Sequence, residues 1–311
     1  MWPSAPGGSP GGAPDFRNVV APVAPPSPPP AAIELSALES FRFAFRQPDL
    51  LSNVLFGLLL QFIPLVGPIV RMGWSAETTR RLVFGDARPI PKFSFNDFSK
   101  YLERGVVPFV AQLVVVFVLV IPLVLLGVLA GIMSGALAHQ HTELGLVIGI
   151  AATVLGIPAF ALYFLFMHST LLIAELTGDF RLSFSLALHK AYLARCWGKV
   201  LVRGLVFGLL TIGVSLVGIL ACGIGLYLAI QVVLFASGHL RYQLYNAYRL
   251  EGGEAFPTKS PTPTEDEQRE LAARYYAGYA QPGYGPGYGS APQGYGSPPA
   301  NNSPPQGPAQ P

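Results

Sequence analysis

Residues 106–133 and 144–167 contain no charged side chain. Each is longer than the roughly 20 apolar residues that cross a hydrocarbon layer about 30 Å thick at 1.5 Å per residue. Lipid offers the backbone no hydrogen-bond partner, so a segment of this kind has to satisfy its own N–H and C=O groups as a helix. Further apolar segments at 51–70, 200–220 and 222–240 extend the series. The chain therefore reads as all-α: a polytopic transmembrane helix bundle with interfacial amphipathic helices and disordered tails. Of its residues, 51% are hydrophobic and 12% charged, about half the charged fraction of a soluble domain.

That balance also limits function. A formal net charge of +3 is too small to argue for nucleic acid, and the basic residues lie beside the apolar segments without forming a separate face. The first fifty residues lack a basic start and an apolar core, so no cleavable signal peptide is expected. Cys196 and Cys222 sit at the edge of one span and within another, which suits packing better than a disulfide framework or a zinc site.

Three regions follow from composition. Residues 1–32 form a Pro/Gly/Ala-rich tail, including Pro25, Pro26, Pro28, Pro29 and Pro30, that cannot bury enough apolar surface to fold. Residues 33–253 form the membrane domain. Residues 254–311 form a Tyr/Gly/Pro-rich tail with one short helix, announced by the capping box Thr264 to Glu267 and by Leu271, Ala272 and Tyr275. Ahead of the first span, Ser36 and Glu39 make another capping box. Leu38, Phe41 and Phe45 lie opposite Glu39, Arg42 and Arg46, the pattern of a helix lying flat among headgroups until Pro48 ends it.

Loop charge sets the topology. Residues 72–105 carry Arg80, Arg81, Arg88, Lys92, Lys100 and Arg104, and residues 168–199 carry Arg181, Lys190, Arg195 and Lys199, so both are expected inside. Residues 134–143 have no Lys or Arg and are expected outside. Residues 200–240 form a second pair of spans, broken near residues 221–225. The segment 51–70 holds Asn53, Gln61, Pro64, Gly67 and Pro68, and is either a kinked span or a re-entrant pair. The re-entrant form leaves four full spans and both termini in the cytoplasm, in a cytoplasmic (inner) membrane.

Phe56, Gly57, Leu58 and Leu59, followed by Leu65, Val66 and Gly67, recur at constant offset as Phe207, Gly208, Leu209 and Leu210 with Leu216, Val217 and Gly218. The match suggests an internal duplication. Residues 43–49 before the first apolar segment, the turn from Pro64 to Gly73 and Trp74, the pair Arg80 and Arg81 with Gly85, and the loop from Pro91, Lys92 and Phe93 to Tyr101 and Gly105 together resemble a prokaryotic multi-pass family catalogued as domain of unknown function four thousand and thirteen. The family pattern has tyrosine where this chain has Trp74. The resemblance implies the fold over residues 36–250 and neither tail. It implies no reaction.

The remaining motifs offer few sites. Gly127, Gly131 and Gly135, then Gly145 and Gly149, then Gly204 and Gly208 recur every fourth residue, which lets helices approach closely in lipid. This is read as packing within one bundle or between two copies. Arg71 and Arg203 lie close to the expected interface, where they can snorkel, and have no acidic partner in a span. Pro122 and Pro158 interrupt the helical ladder in mid-span. His139 and His141, with Glu143, fall short of a metal site. Glu175 and Asp179, near His168, read as a solvated helix end. The aromatic loop 93–101 reads as membrane docking. Tyr279, Tyr284, Tyr288 and Tyr295 are spaced in a polar chain, suited to weak contacts with a partner.

The sequence thus suggests a noncatalytic scaffold or accessory protein without cofactors, whose cytoplasmic loops and tail recruit a cytosolic or membrane protein. Membrane lipids surround it, a homo-oligomer is compatible with its glycine rows, and nucleic acid is not expected. The rival reading is a transporter or channel for a small neutral or apolar solute.

Overall fold

The computed structural model describes residues 35–138, 142–220 and 223–279. These are helical with short connections, and no strand occurs among the described residues. The tail residues 1–34 and 280–311, together with His139, Gln140, His141, Ala221 and Cys222, lie outside them. The chain divides into two units, the first ending at Thr264 and the second beginning at Glu265.

In the first unit, α1 (Ala37–Phe45) starts where the capping box places it, with the Ser36 hydroxyl accepting from the Glu39 N–H at 3.3 Å. One face of it packs on the bundle. Ala37, Ser40, Phe41 and Ala44 are buried, Phe41 stacks on Phe207 at 5.1 Å, and Phe43 stacks on His239 at 4.1 Å. Leu38 and Phe45 remain exposed.

The first apolar segment is two helices, α2 (Leu50–Gln61) and α3 (Val66–Val83). The 12 residues of α2 reach only about 18 Å, short of the hydrocarbon thickness. Between the helices Leu65 has φ 60 and ψ −54, and the Val66 N–H bonds the Pro64 carbonyl at 2.6 Å. This is a γ-turn of the strained, positive-φ kind. A β-carbon on Gly67 would lie 1.7 Å from the Leu60 carbonyl oxygen, so α2 and α3 fold tightly against each other at the turn.

Among the described residues, four helical runs are long and apolar enough to cross a membrane: Phe95–Ala136, Thr142–Thr177, Leu186–Leu220 and Ile224–Leu250. The first takes in α4 (Phe98–Val115), a π-helical turn Val116–Val120 and most of α5 (Ile121–Ala138). Pro122 explains the wide turn, because it has no N–H to offer the carbonyl four residues back and its ring crowds that carbonyl. The others are α6 (Thr142–Thr177), which runs through Pro158, then α8 (Leu186–Leu220) and α9 (Ile224–Leu250), with the one-turn α7 (Phe180–Ser183) between α6 and α8. These helices run far past the spans expected from apolarity: most of residues 168–199, read as a loop, continues α6 and opens α8. The proposed repeat is also treated unequally, since its first copy is split by the γ-turn and its second lies inside α8.

Half of α9's most apolar window is buried, whereas those of the other three runs lie almost wholly on the surface, as suits side chains facing lipid. One apolar cluster gathers Trp74, Phe93, Tyr101 and Phe235. Another gathers Leu172, Tyr192, Leu244 and Phe256. The aromatic loop joins the first cluster and does not dock outward. The Pro91 carbonyl accepts from the Trp74 indole at 3.2 Å and from the Asn53 amide at 3.4 Å, and the Phe93 N–H bonds Asn53 Oδ1 at 3.0 Å. Phe93 is thereby held inside, and Phe95 alone of the pair is exposed.

The second unit contains α10 (Glu265–Tyr279), with Glu265, Asp266 and Glu267 in its first turn, where the helix dipole favours negative charge.

Candidate functional site

Residues 75–81 of α3 are all buried. Successive helix positions are rotated by 100°, so Ser75 and Thr79 share one face while Glu77 and Arg81 share the opposite one. Each face meets a different charged group.

On the first face, Glu175 from α6 is 2% exposed. Its Oε1 accepts from Arg241 Nη2 at 2.7 Å and from the Ser75 hydroxyl at 3.1 Å. Its Oε2 accepts from Arg241 Nε at 2.8 Å and lies 3.0 Å from the Thr79 hydroxyl. Arg241 of α9 also reaches Ser75 at 3.1 Å and Ser237 at 3.3 Å. Arg80 donates its Nε to the Glu175 backbone carbonyl at 2.6 Å, where the C-terminus of α6 attracts a cation. Burial pulls the Arg80 guanidinium down to about 10, with Glu175 acting the other way.

On the second face, Glu77 pairs with Arg81 Nε at 3.1 Å, with Arg104 of α4, and with the Thr262 N–H at 2.9 Å. Arg81 donates to the Thr262 carbonyl at 3.1 Å, and Arg104 reaches the Thr262 hydroxyl and, at 3.4 Å, the Ser260 carbonyl. Thr262 belongs to a strap of residues 254–264 that crosses this end of the bundle. Its first anchor is Phe256, whose ring lies 5.2 Å from Tyr245, 5.4 Å from Tyr248 and 6.3 Å from Tyr192, and whose N–H bonds the Tyr245 hydroxyl at 3.1 Å. The Lys259 N–H bonds the Leu176 carbonyl at 3.0 Å. A cavity of about 10 Å³ remains beside Tyr101, Lys100 and Thr264, about enough for one water.

The charged groups are therefore locked. Both carboxylate oxygens of Glu175 already hold two partners each, which suits a clamp joining α3, α6 and α9 better than a proton acceptor for a substrate. Among the described residues, no three His, Cys, Asp or Glu side chains are grouped to hold a metal.

Two expectations are corrected here. Glu175 is no solvated helix end, although Asp179 beside it is exposed and caps α7 by accepting from the Arg181 and Leu182 N–H groups at 2.7 and 3.2 Å. Arg80 and Arg81 are buried helix residues and not loop charges. Arg71 finds a partner in Gln231 Oε1 at 3.0 Å.

The glycine rows divide. A β-carbon on Gly204 would lie 2.3 Å from the Phe164 ring, and Gly149 faces the Ser134 hydroxyl at 3.4 Å. Gly145 is buried and gives its carbonyl to that hydroxyl at 2.6 Å. A β-carbon on Gly127, Gly131, Gly135 or Gly208 would enter open space. Tyr279 is the last residue of α10, while Tyr284, Tyr288 and Tyr295 lie outside the described residues.

The profile of a family described as "protein of unknown function (DUF4013)" matches residues 56–223, more than half of the chain. The chain belongs to the DUF4013 family. The matched stretch of this DUF4013 protein runs from α2 through α8 and holds Glu77, Arg80, Arg81, Arg104 and Glu175. Arg241 and the strap lie beyond it. No curated protein and no solved structure matches the chain.

Proposed function

We propose that this integral membrane protein is a noncatalytic scaffold that holds its carboxyl-terminal tail at the membrane surface for a cytosolic or membrane protein partner. The observation that carries the reading is the strap. Phe256, Lys259 and Thr262 tie residues 254–264 to α9, α6 and α3 in turn, so the chain leaves the bundle at a defined place. A passive tail needs no such tether. We place the strap in the cytoplasm of a cell with an inner membrane, with both termini on that side. The exposed cations Arg88, Lys92, Arg181, Lys190 and Arg195 lie on the segments expected inside from loop charge.

The test compares proteins captured by crosslinking and affinity purification with the full chain and with a chain ending at Thr264, which keeps the strap. Capture that depends on residues 265–311 supports the scaffold. Identical capture from both chains refutes it.

A second reading, a transporter or channel for a small neutral or apolar solute, draws on the π-helical turn before Pro122 and on Pro158 within α6, since interrupted helices are a means of opening a path through a bundle. Solute flux into liposomes carrying the purified protein would favour it.

A further inference from the structure

The three anchors of the strap fall at residues 256, 259 and 262. A spacing of three is the repeat of a polyproline II helix, which turns once in three residues and makes no hydrogen bonds within itself. The strap has that chemistry: it carries Pro257, Pro261 and Pro263 and contains no helix or strand. Pro257 and Pro261, which cannot donate, sit between the anchor positions and Pro263 follows the last, while each anchor residue donates its N–H. The donors go to the Tyr245 hydroxyl, the Leu176 carbonyl and Glu77 Oε1 at 3.1, 3.0 and 2.9 Å. The strap is thus read mainly through its backbone, with an aromatic side chain demanded only at the first position.

We propose that the groove beneath the strap is a docking site for an extended, proline-rich segment of a partner protein, led by an aromatic residue, and that the strap occupies it in cis. This goes beyond the scaffold reading, in which residues 265–311 recruit the partner, and adds a second docking site. Proline-rich ligands commonly dock on tyrosine-lined surfaces, because the extended helix is ordered in advance and loses little entropy on binding. Here Tyr192, Tyr245 and Tyr248 surround the leading residue, and Arg81 takes the last anchor's carbonyl at 3.1 Å. The strap departs from α9 through Gly252, at φ 76, and Gly253, whose missing β-carbon would lie 2.4 Å from the Tyr248 ring. A two-glycine hinge allows the strap to leave without disturbing α9. A tethered occupant competes at an effective concentration on the order of millimolar, so a free ligand binds the intact chain weakly.

The experiment uses the full chain in lipid nanodiscs and a fluorescent peptide of residues 254–264. Phe256→Ala in the chain weakens the strap and leaves the groove intact, so peptide affinity should rise about tenfold over the unaltered chain, which corresponds to ~1.4 kcal/mol. A peptide with alanine in place of its phenylalanine should lose that binding, and Tyr245→Phe added to the chain should reduce it. Lys259 is exposed but its backbone is held on the Leu176 carbonyl, so faster trypsin cleavage after Lys259 than in the unaltered chain reports departure of the strap. No peptide binding when Lys259 is cleaved faster overturns the proposal, as does a strap that is cleaved no faster. If Phe256→Ala impairs folding, Thr262→Pro, which deletes the N–H donated to Glu77, serves as the strap variant under the same outcomes. A dimer of the unaltered chain that the peptide disperses would assign the groove to the strap of a second copy and overturn the assignment to a partner. The scaffold reading is judged separately, because the chain ending at Thr264 keeps the groove and strap alike.

Discussion

Gly73 of α3 and Gly105 of α4 meet backbone to backbone. A β-carbon added to either would lie 2.8 Å from the other's amide nitrogen, and would come within 1.7 Å of the Tyr101 carbonyl oxygen from Gly73 or 1.8 Å of the Ile69 carbonyl oxygen from Gly105. Close approach of this kind brings Arg104 near enough to share Glu77.

Alanine at Gly73 or Gly105 should therefore be among the most damaging small changes in the chain. No rotamer relieves an overlap with backbone, so the helices must separate, at about 3 kcal/mol or more. Thermal unfolding in detergent, followed by tryptophan fluorescence, should show a large fall for both variants. An unchanged midpoint would contradict the contact.

The glycine rows should split in the same assay. Gly204→Leu meets the Phe164 ring and should destabilise, whereas Gly131→Leu enters open space and should leave the midpoint within about 0.5 kcal/mol of the original. A change in mass of the Gly131→Leu protein without a change in midpoint would place that row between copies.

Breaking the buried pair should cost more than replacing it. Arg241→Met leaves Glu175 charged with only hydroxyl donors, a loss of roughly 3–5 kcal/mol. Adding Glu175→Met should recover most of that loss, because two apolar side chains of similar volume need no partners. Urea or thermal unfolding of the single and double variants gives the comparison, and additive losses would refute the coupling.

Leu65→Gly should stabilise by about 1 kcal/mol, because glycine adopts the positive φ at the γ-turn without a side-chain clash. A rise in the midpoint is the expected result, and a fall would mean that the exposed Leu65 side chain contributes more than its strain costs.

Much of the frame could be read from residues close in sequence. Ser36 and Glu39 announced α1, the uncharged stretches announced the long helices, and Pro64 with Gly67 announced the break between α2 and α3. The site could not be read in this way, because its partners are distant along the chain. Glu175 looks like a polar end to an apolar helix until Arg241 of α9 meets it. Arg80 and Arg81 add to loop charge by the usual counting, yet Ser75 with Thr79 and Glu77 with Arg81, each pair four residues apart and on opposite faces, were a sign that this polar run had two buried sides. Gly73 and Gly105 stood in view as part of the family resemblance, and only the pairing of α3 with α4 shows what they are for. The aromatic loop misled because its direction is set by Asn53, a residue that reads as a flaw in an apolar segment.

Synthesis proceeds from the amino terminus, so the buried carboxylates of Glu77 and Glu175 find their cations at different times. Glu77 and Arg81 emerge on the same turn of α3 and enter as a neutral pair. Glu175 has to wait for Arg241, 66 residues later, and the strap comes later still. Completion of the clamp thus coincides with arrival of the last long helix, and a ribosome stalled before Arg241 would hold a bundle with a charge still seeking its partner, a natural mark by which quality control could tell an unfinished chain from a finished one.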